Sequence, residues 1–271
     1  MVNGYKPTSL QEALAIRARE QVIPYAGGTD VMVKKPEGVP FLFLNDIDEI
    51  KKITEDGEYI RIGAAVTFTQ ALDSNLVPPL MKEAVSRIAA PAIRNAGTFG
   101  GNLGNGSDKA DSVLAGFALD ARVRLVSEKG ERIVPFDDFC VRRGVTNLGD
   151  DELIAEILLP KATCALPYYY KKIGGRNALA ISRVAIAGSY KAEGGELKGI
   201  SVTVIGEGAF NRYRDVEAEL IGKSLDEIRA NADEYAKRFI GKMTFTRGRV
   251  SAEYRKTVVT NLFKDYLTSL E

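Results

Sequence analysis

Histidine is absent from this 271-residue sequence, and so is tryptophan. Without an imidazole, the chain alone has no Ser-His triad, no histidine acid–base chemistry and no histidine metal ligation. Cysteine is scarce: Cys140 and Cys164 are too few for a four-thiolate zinc or iron–sulfur site. They leave room for one disulfide, with two buried thiols the simpler reading. An excess of either charge is also missing, with 37 Lys and Arg against 36 Asp and Glu, so the balance points to neither nucleic acid nor an acidic membrane surface. No apolar run approaches the length of a membrane span, and the opening MVNGYKPTSLQEALAI lacks the order of a secretory leader. The expectation is a soluble, cytoplasmic protein whose partners are small molecules or other proteins.

What is present is a chain with 45% hydrophobic residues, long enough to bury a large core and to divide into more than one domain. Ser9 and Glu12 have capping-box spacing ahead of Leu10, Ala13 and Leu14, which predicts a first helix to about Glu20. VIPYA (22–26) reads as a strand ending on GGTD, with VMV and FLFLN as further strand candidates. YIRIGAA (59–65) alternates as a strand should, while Pro78–Ala89 places Leu80, Ala84, Val85 and Ile88 on one helical face. Ala110–Leu119 also reads as helical, and ARVRLVSE and ERIVPF flank a hairpin turn at Lys129-Gly130. Beyond ELIAEILLP the texture changes to three strands, YYYKKIG, VAIAGSY and GISVTVIG, followed by three helices. The last carries Tyr254, Val258, Leu262, Tyr266 and Leu270 at intervals of four. A boundary between residues 160 and 168 divides the chain into domains 1–165 and 166–271.

Five glycines fall within ten residues in GTFGGNLGNG (97–106). Glycine permits positive φ and lets another group lie against the main chain, and successive free amides form an anion-binding concavity. A P-loop would end in Gly-Lys-Ser or Gly-Lys-Thr, and here the stretch continues NGSDKADS. A dinucleotide fingerprint of the βαβ type needs a strand directly before the glycines, where this sequence has a helix and APAIRN. One such stretch alone is equally well explained by tight turns. AGGTD (26–30) supplies a second glycine turn, and two such loops suit one extended dinucleotide gripped from both sides.

AGGTD followed about seventy residues later by IRNAGTFGGNLGNGSDKADS resembles the paired flavin-binding loops of the FAD subunit of molybdenum hydroxylases, the xanthine dehydrogenase and carbon monoxide dehydrogenase family. YYYKKIGGRNALAIS is similar to the segment that opens the family's C-terminal domain, and SAEYR (251–255) to its last-helix signature. The resemblance implies an α+β protein: a two-subdomain, PCMH-type FAD-binding domain, then a C-terminal domain with an antiparallel sheet and helices. Pro24, Tyr25, Ala26, Gly27, Gly28, Thr29, Asp30 and Val31 would line one side of FAD, with the Gly27 and Gly28 amides toward phosphate. Thr98, Gly100, Gly101, Asn102 and Asn105 would supply the other side. Asp111 matches a carboxylate near the ribose or ribityl hydroxyls, with a first-turn helix acid as the alternative. Ile88 and Ile154 match apolar positions on the cofactor, or are ordinary core, and Lys171 matches a basic position near the flavin. Arg94 either braces the loop or faces solvent. Gly106 and Asp108 depart from the family's usual alanine and proline, which implies a looser loop.

By the same resemblance, the chain is an electron-transfer subunit. Electrons would arrive from [2Fe-2S] clusters on a small partner subunit and leave for an acceptor such as NAD, with a molybdopterin large subunit hydroxylating the substrate. Two readings of other classes compete: a free-standing FAD oxidase or dehydrogenase, and a flavin-free assembly module.

Overall fold

The computed structural model describes residues 4–34, 36–176 and 179–271. Its first subdomain is small. Strands Gly4–Tyr5, Phe41–Phe43 and Ile23–Tyr25 form a parallel sheet with Phe41–Phe43 in the middle. Helix Leu10–Arg19 covers it, beginning where Ser9 Oγ accepts the Glu12 amide at 3.2 Å. Ala13 and Ile16 pack there with Val22, Leu42, Leu44 and Ile47.

The second subdomain is a five-stranded antiparallel sheet in the order 53–55, 59–63, 153–160, 122–127, 130–135. The central strand, Leu153–Pro160, belongs to two cores at once. Leu153 and Ala155 join the first subdomain's core, whereas Ile154, Ile157 and Leu159 join the second's. A bulge between Ile154 and Glu156 inverts which alternate residues face which side.

Helix Asp111–Ala118 (DSVLAGFA) is buried along its whole length, as the apolar or small residues after Asp111 require. It lies between the N-terminal sheet region and the C-terminal sheet 168–173, 184–193, 196–205. At its end the Ala118 carbonyl accepts the Ser189 and Ser201 hydroxyls at 3.1 and 2.6 Å. Phe117 stacks on Phe210 with centroids 5.4 Å apart. The sheet also packs on the closing helices, where the buried Tyr266 hydroxyl donates to the Ser189 and Ser201 carbonyls. This α+β arrangement is the one the sequence implied.

Three local expectations are corrected. VMV is not a strand but the start of a short helix, Val31–Lys34. Four helices close the chain rather than three, because SLDEIRANADEYAKRF splits into Leu225–Ala230 and Ala232–Gly241. Asn231 at the split turns its side-chain amide to the Glu227 carbonyl, competing with the helical backbone. In helix Ala252–Thr268 the expected stripe is one edge of the buried face: Tyr254 is 43% exposed, Val258 and Leu262 pack partly buried on the core, and Tyr266 and Leu270 are buried. The rest of that face is Arg255, Val259, Phe263 and Leu267.

Cys140 and Cys164 are free thiols, and burial pushes both up to about 12. Within YYYKKIGGRNALAIS, Asn177 and Ala178 lie outside the described residues. Among the described residues no helix is long and apolar enough to cross a membrane.

Candidate functional site

A cleft of about 290 Å³ separates the two N-terminal subdomains. AGGTD forms one wall as the turn between strand Ile23–Tyr25 and helix Val31–Lys34. Gly28 has φ +70°, and a Cβ there would run into the Tyr25 hydroxyl. The Tyr25 ring thus underlies the turn, packed on Phe41 and Phe43, and does not line the cleft. The amides of Gly27, Gly28, Thr29 and Asp30 make no hydrogen bond to the described residues. Four consecutive free donors remain at a concave turn, an arrangement that receives anions.

The opposite wall is more ordered than a bare glycine loop. Thr98 caps a helix, Phe99–Gly104, its Oγ1 accepting the Gly101 amide at 3.1 Å. The Phe99 and Gly100 amides donate to the Val66 and Ala64 carbonyls at 3.1 and 2.8 Å. These donors are spent on the protein, so the wall offers side chains and bare Cα surface instead. Two glycines serve packing: a Cβ on Gly27 would overlap the Ala96 carbonyl, and one on Gly100 would press into Ala64. Gly101 differs, since a Cβ there meets only Thr98 Oγ1, at 2.9 Å.

Pro24, Ala26, Gly27, Gly28, Thr29, Asp30 and Val31 line the cleft, as do Thr98, Gly100, Gly101, Asn102, Asn105 and Ile154. A polar bridge joins the walls: Lys34 Nζ donates to Asn105 Oδ1 at 2.7 Å, and Asn105 Nδ2 to Asp30 Oδ2 at 3.1 Å. The sequence reading missed Lys34. Its signal was the four-residue spacing from Asp30, hidden when VMV was read as a strand. Arg17, Leu44, Phe68, Leu148 and Leu153 also line the cleft without having been singled out.

Ile88, Asp111 and Lys171 stand outside the lining. Ile88 packs partly buried on the core. Lys171 is exposed, its Nζ 5.8 Å from the Tyr169 ring centre. Asp111, 5% exposed, accepts from Lys172 Nζ at 2.7 Å and from the Ser182 hydroxyl at 2.7 Å, with the Tyr170 hydroxyl at 3.3 Å. Burial raises its carboxyl above the usual range, against the lowering effect of Lys172 and these bonds. Strand alternation puts Lys172 and Tyr170 on one face, so the neighbour of Lys171 is the lysine turned inward. Next along the helix, Ser112 donates to Asn102 Oδ1 at 2.7 Å, connecting this cluster to the cleft wall.

Arg94 braces the turn ahead of its own short helix and not the glycine segment: its Nη1 donates to the carbonyls of Ile88 and Ala89, the latter residue at φ +42°. The 106–108 segment is tied down rather than loose. The Gly106 carbonyl accepts the Gly144 amide at 2.8 Å, and the buried Asp108 faces Arg143 at 3.4 Å.

Residues 1–162 match the family described as the FAD binding domain in molybdopterin dehydrogenase, and residues 168–270 match the CO dehydrogenase flavoprotein C-terminal domain. The xanthine dehydrogenase FAD-binding subunit of Escherichia coli O157:H7 is 32% identical over 70% of this chain and 69% of its own length. The nicotine 6-hydroxylase medium subunit of Paenarthrobacter nicotinovorans is 30% identical over 82% and 78%. Carbon monoxide dehydrogenase from Hydrogenophaga pseudoflava superposes with a TM-score of 0.89 at 25% identity, over 97% of this chain and 94% of that one. Two family domains in order along nearly the whole chain, around a cleft walled by both glycine segments, place it among the FAD-binding medium subunits of the molybdenum hydroxylase family of oxidoreductases, the xanthine and carbon monoxide dehydrogenase type.

Proposed function

We propose that the cleft holds FAD and that the chain transfers electrons within a multi-subunit molybdenum hydroxylase. In this reading electrons come from [2Fe-2S] clusters of a small partner subunit and pass to an acceptor such as NAD, while a molybdopterin large subunit acts on the substrate. Bound FAD supplies the exchange between single electrons and electron pairs. The observation that carries the reading is the run of free amides from Gly27 to Asp30, facing a wall where Gly101 leaves the backbone bare.

The chain's own residues divide the task. Amides 27–30 receive the pyrophosphate, because consecutive donors at a turn match its oxygens. Thr98, Asn102 and Asn105 supply polar contacts from across the cleft, and Ile154 an apolar one. Ser112, next in the chain to the buried Asp111, holds the Asn102 side chain in place from behind. We assign residues 1–165 to the FAD-binding domain and 166–271 to the C-terminal domain; the short helix Lys161–Cys164 and the turn after it form the joint.

Absorption spectroscopy of the purified chain, with chromatography of the acid-released cofactor, tests the binding. Near-stoichiometric FAD is expected; a chain that stays colourless after incubation with FAD overturns the reading. Anaerobic addition of NADH to the assembled complex then tests the acceptor. Bleaching of the flavin band is expected, and an unchanged band removes NAD while leaving the cofactor assignment standing.

A further inference from the structure

Three cations from distant parts of the chain, Lys109, Arg183 and Arg255, gather outside the cleft lining. Lys109 stands two residues before Asp111, whose carboxylate accepts the Ser182 hydroxyl at 2.7 Å, and Arg183 follows Ser182. Ser107, Asp108 and Arg143 line a small cavity together with Ala209 and Phe210. Arg255 reaches the start of that last loop, its Nη1 donating to the Gly206 carbonyl at 2.9 Å.

The charges here do not balance. Asp108 faces Arg143 at 3.4 Å, and Glu207, beside Gly206, accepts from Asn211 and Tyr213 instead. Lys109, Arg183 and Arg255 have no ion-pair partner among the described residues. Arg255 is only 7% exposed, its Nε is buried without a hydrogen-bond partner, and Gly248 lies so close that a Cβ there would strike Nη2. It also stands in the first turn of helix Ala252–Thr268, where the backbone dipole disfavours a cation and favours an anion. Burial is the main influence lowering the Lys109 ammonium; Arg255, Arg143 and Arg183 push the same way, against Asp108. Like charges gathered at a partly dehydrated position destabilise the chain, and an anion reverses that effect. A carboxylate neutralises a single cation. A phosphate carries about −1.5 to −2 charges near neutral pH, with oxygens that pair with guanidinium groups.

We propose that Lys109, Arg183 and Arg255 form a phosphate-binding site, separate from the cleft, which takes a phosphorylated small molecule or free phosphate. Lys109 and Arg183, both half-buried, contact the ligand. Arg255, held between Gly206 and Gly248, adds its charge from the interior. The site does not depend on what the cleft binds.

Isothermal titration calorimetry of the full-length chain with phosphate, pyrophosphate and ADP tests it, at an ionic strength held constant with chloride. The wild type is expected to bind pyrophosphate, and Lys109→Met to weaken that binding about tenfold or more, the range for one lost charged hydrogen bond. Arg183→Met is expected to show the same loss and is read in its place should Lys109→Met not fold. The component lost in these variants is expected to be equal in flavin-loaded and flavin-stripped chain. A wild type that binds no pyrophosphate overturns the proposal, as does undiminished binding in the variants. Binding confined to the flavin-stripped chain belongs to the cleft and overturns it too. With the site upheld, ADP held tenfold more tightly than phosphate names a nucleotide as the source, and equal affinity names the free anion.

Discussion

Lys172 Nζ lies 2.7 Å from Asp111 Oδ2, with both side chains only 6% exposed, and this ion pair joins the C-terminal sheet to the central helix. A second bond from Lys172 reaches the Arg87 carbonyl at 2.8 Å. Breaking such a pair from one side strands a buried charge, which costs about 3–5 kcal/mol. Lys172→Met should show that loss in urea denaturation at neutral pH.

The pH dependence of that variant follows from the direction of the Asp111 shift. Burial already raises its carboxyl, and removing Lys172 takes away the main opposing charge. The native state then keeps its proton to higher pH than the unfolded chain does, so stability falls as pH rises from about 4 toward the native value. The deficit relative to wild type should shrink on acidification. A deficit that is constant between pH 4 and 8 would show that packing, not charge, is what Lys172 supplies.

Gly101→Val is expected to abolish FAD retention while the chain stays folded. Its branched side chain enters the cleft, since only Thr98 Oγ1 lies in the way. Thermal unfolding followed by circular dichroism, beside flavin content, separates the two effects; normal flavin content would exclude this wall from the site.

Asp56 offers an acid-range signature. It accepts the Tyr59 and Glu58 amides and Arg61 Nε, which hold its carboxyl at about 2 rather than 3.8. Its contribution is present above the ordinary value and is lost as pH falls through about 2. Carboxyl titration by NMR should place its midpoint there, and Asp56→Asn should remove that part of the acid transition.

Cys140 and Cys164, both pushed up by burial, should resist alkylation by iodoacetamide at pH 8 and react in denaturant. Rapid native labelling of either thiol would contradict the packing described around it.

Much of this was legible in the sequence because it is local. The Ser9 cap, the Lys129-Gly130 hairpin and the alternation of YIRIGAA are set by neighbours in the chain. The two glycine segments were legible as a pair because turns need particular residues. Their separate jobs were not: whether a glycine faces a cofactor or a carbonyl depends on residues far away, as Gly27 against Ala96 shows. Nor did the sequence tell Lys171 from Lys172, since the facing of adjacent strand residues is fixed by what the sheet packs on. Arg17 looked like any lysine or arginine on a helix until the second subdomain closed over it.

Strand Leu153–Pro160 belongs to both N-terminal cores and carries Ile154 into the cleft between them. The two walls consequently share a rigid backbone, and separating them requires dismantling the centre of the sheet. Amides 153–159 should therefore exchange with deuterium only when the whole domain opens, so the floor of the cleft is also the domain's slowest-exchanging segment. Loss of a flavin bound here would proceed from the rim, where the Lys34–Asn105–Asp30 bridge can part without disturbing that strand.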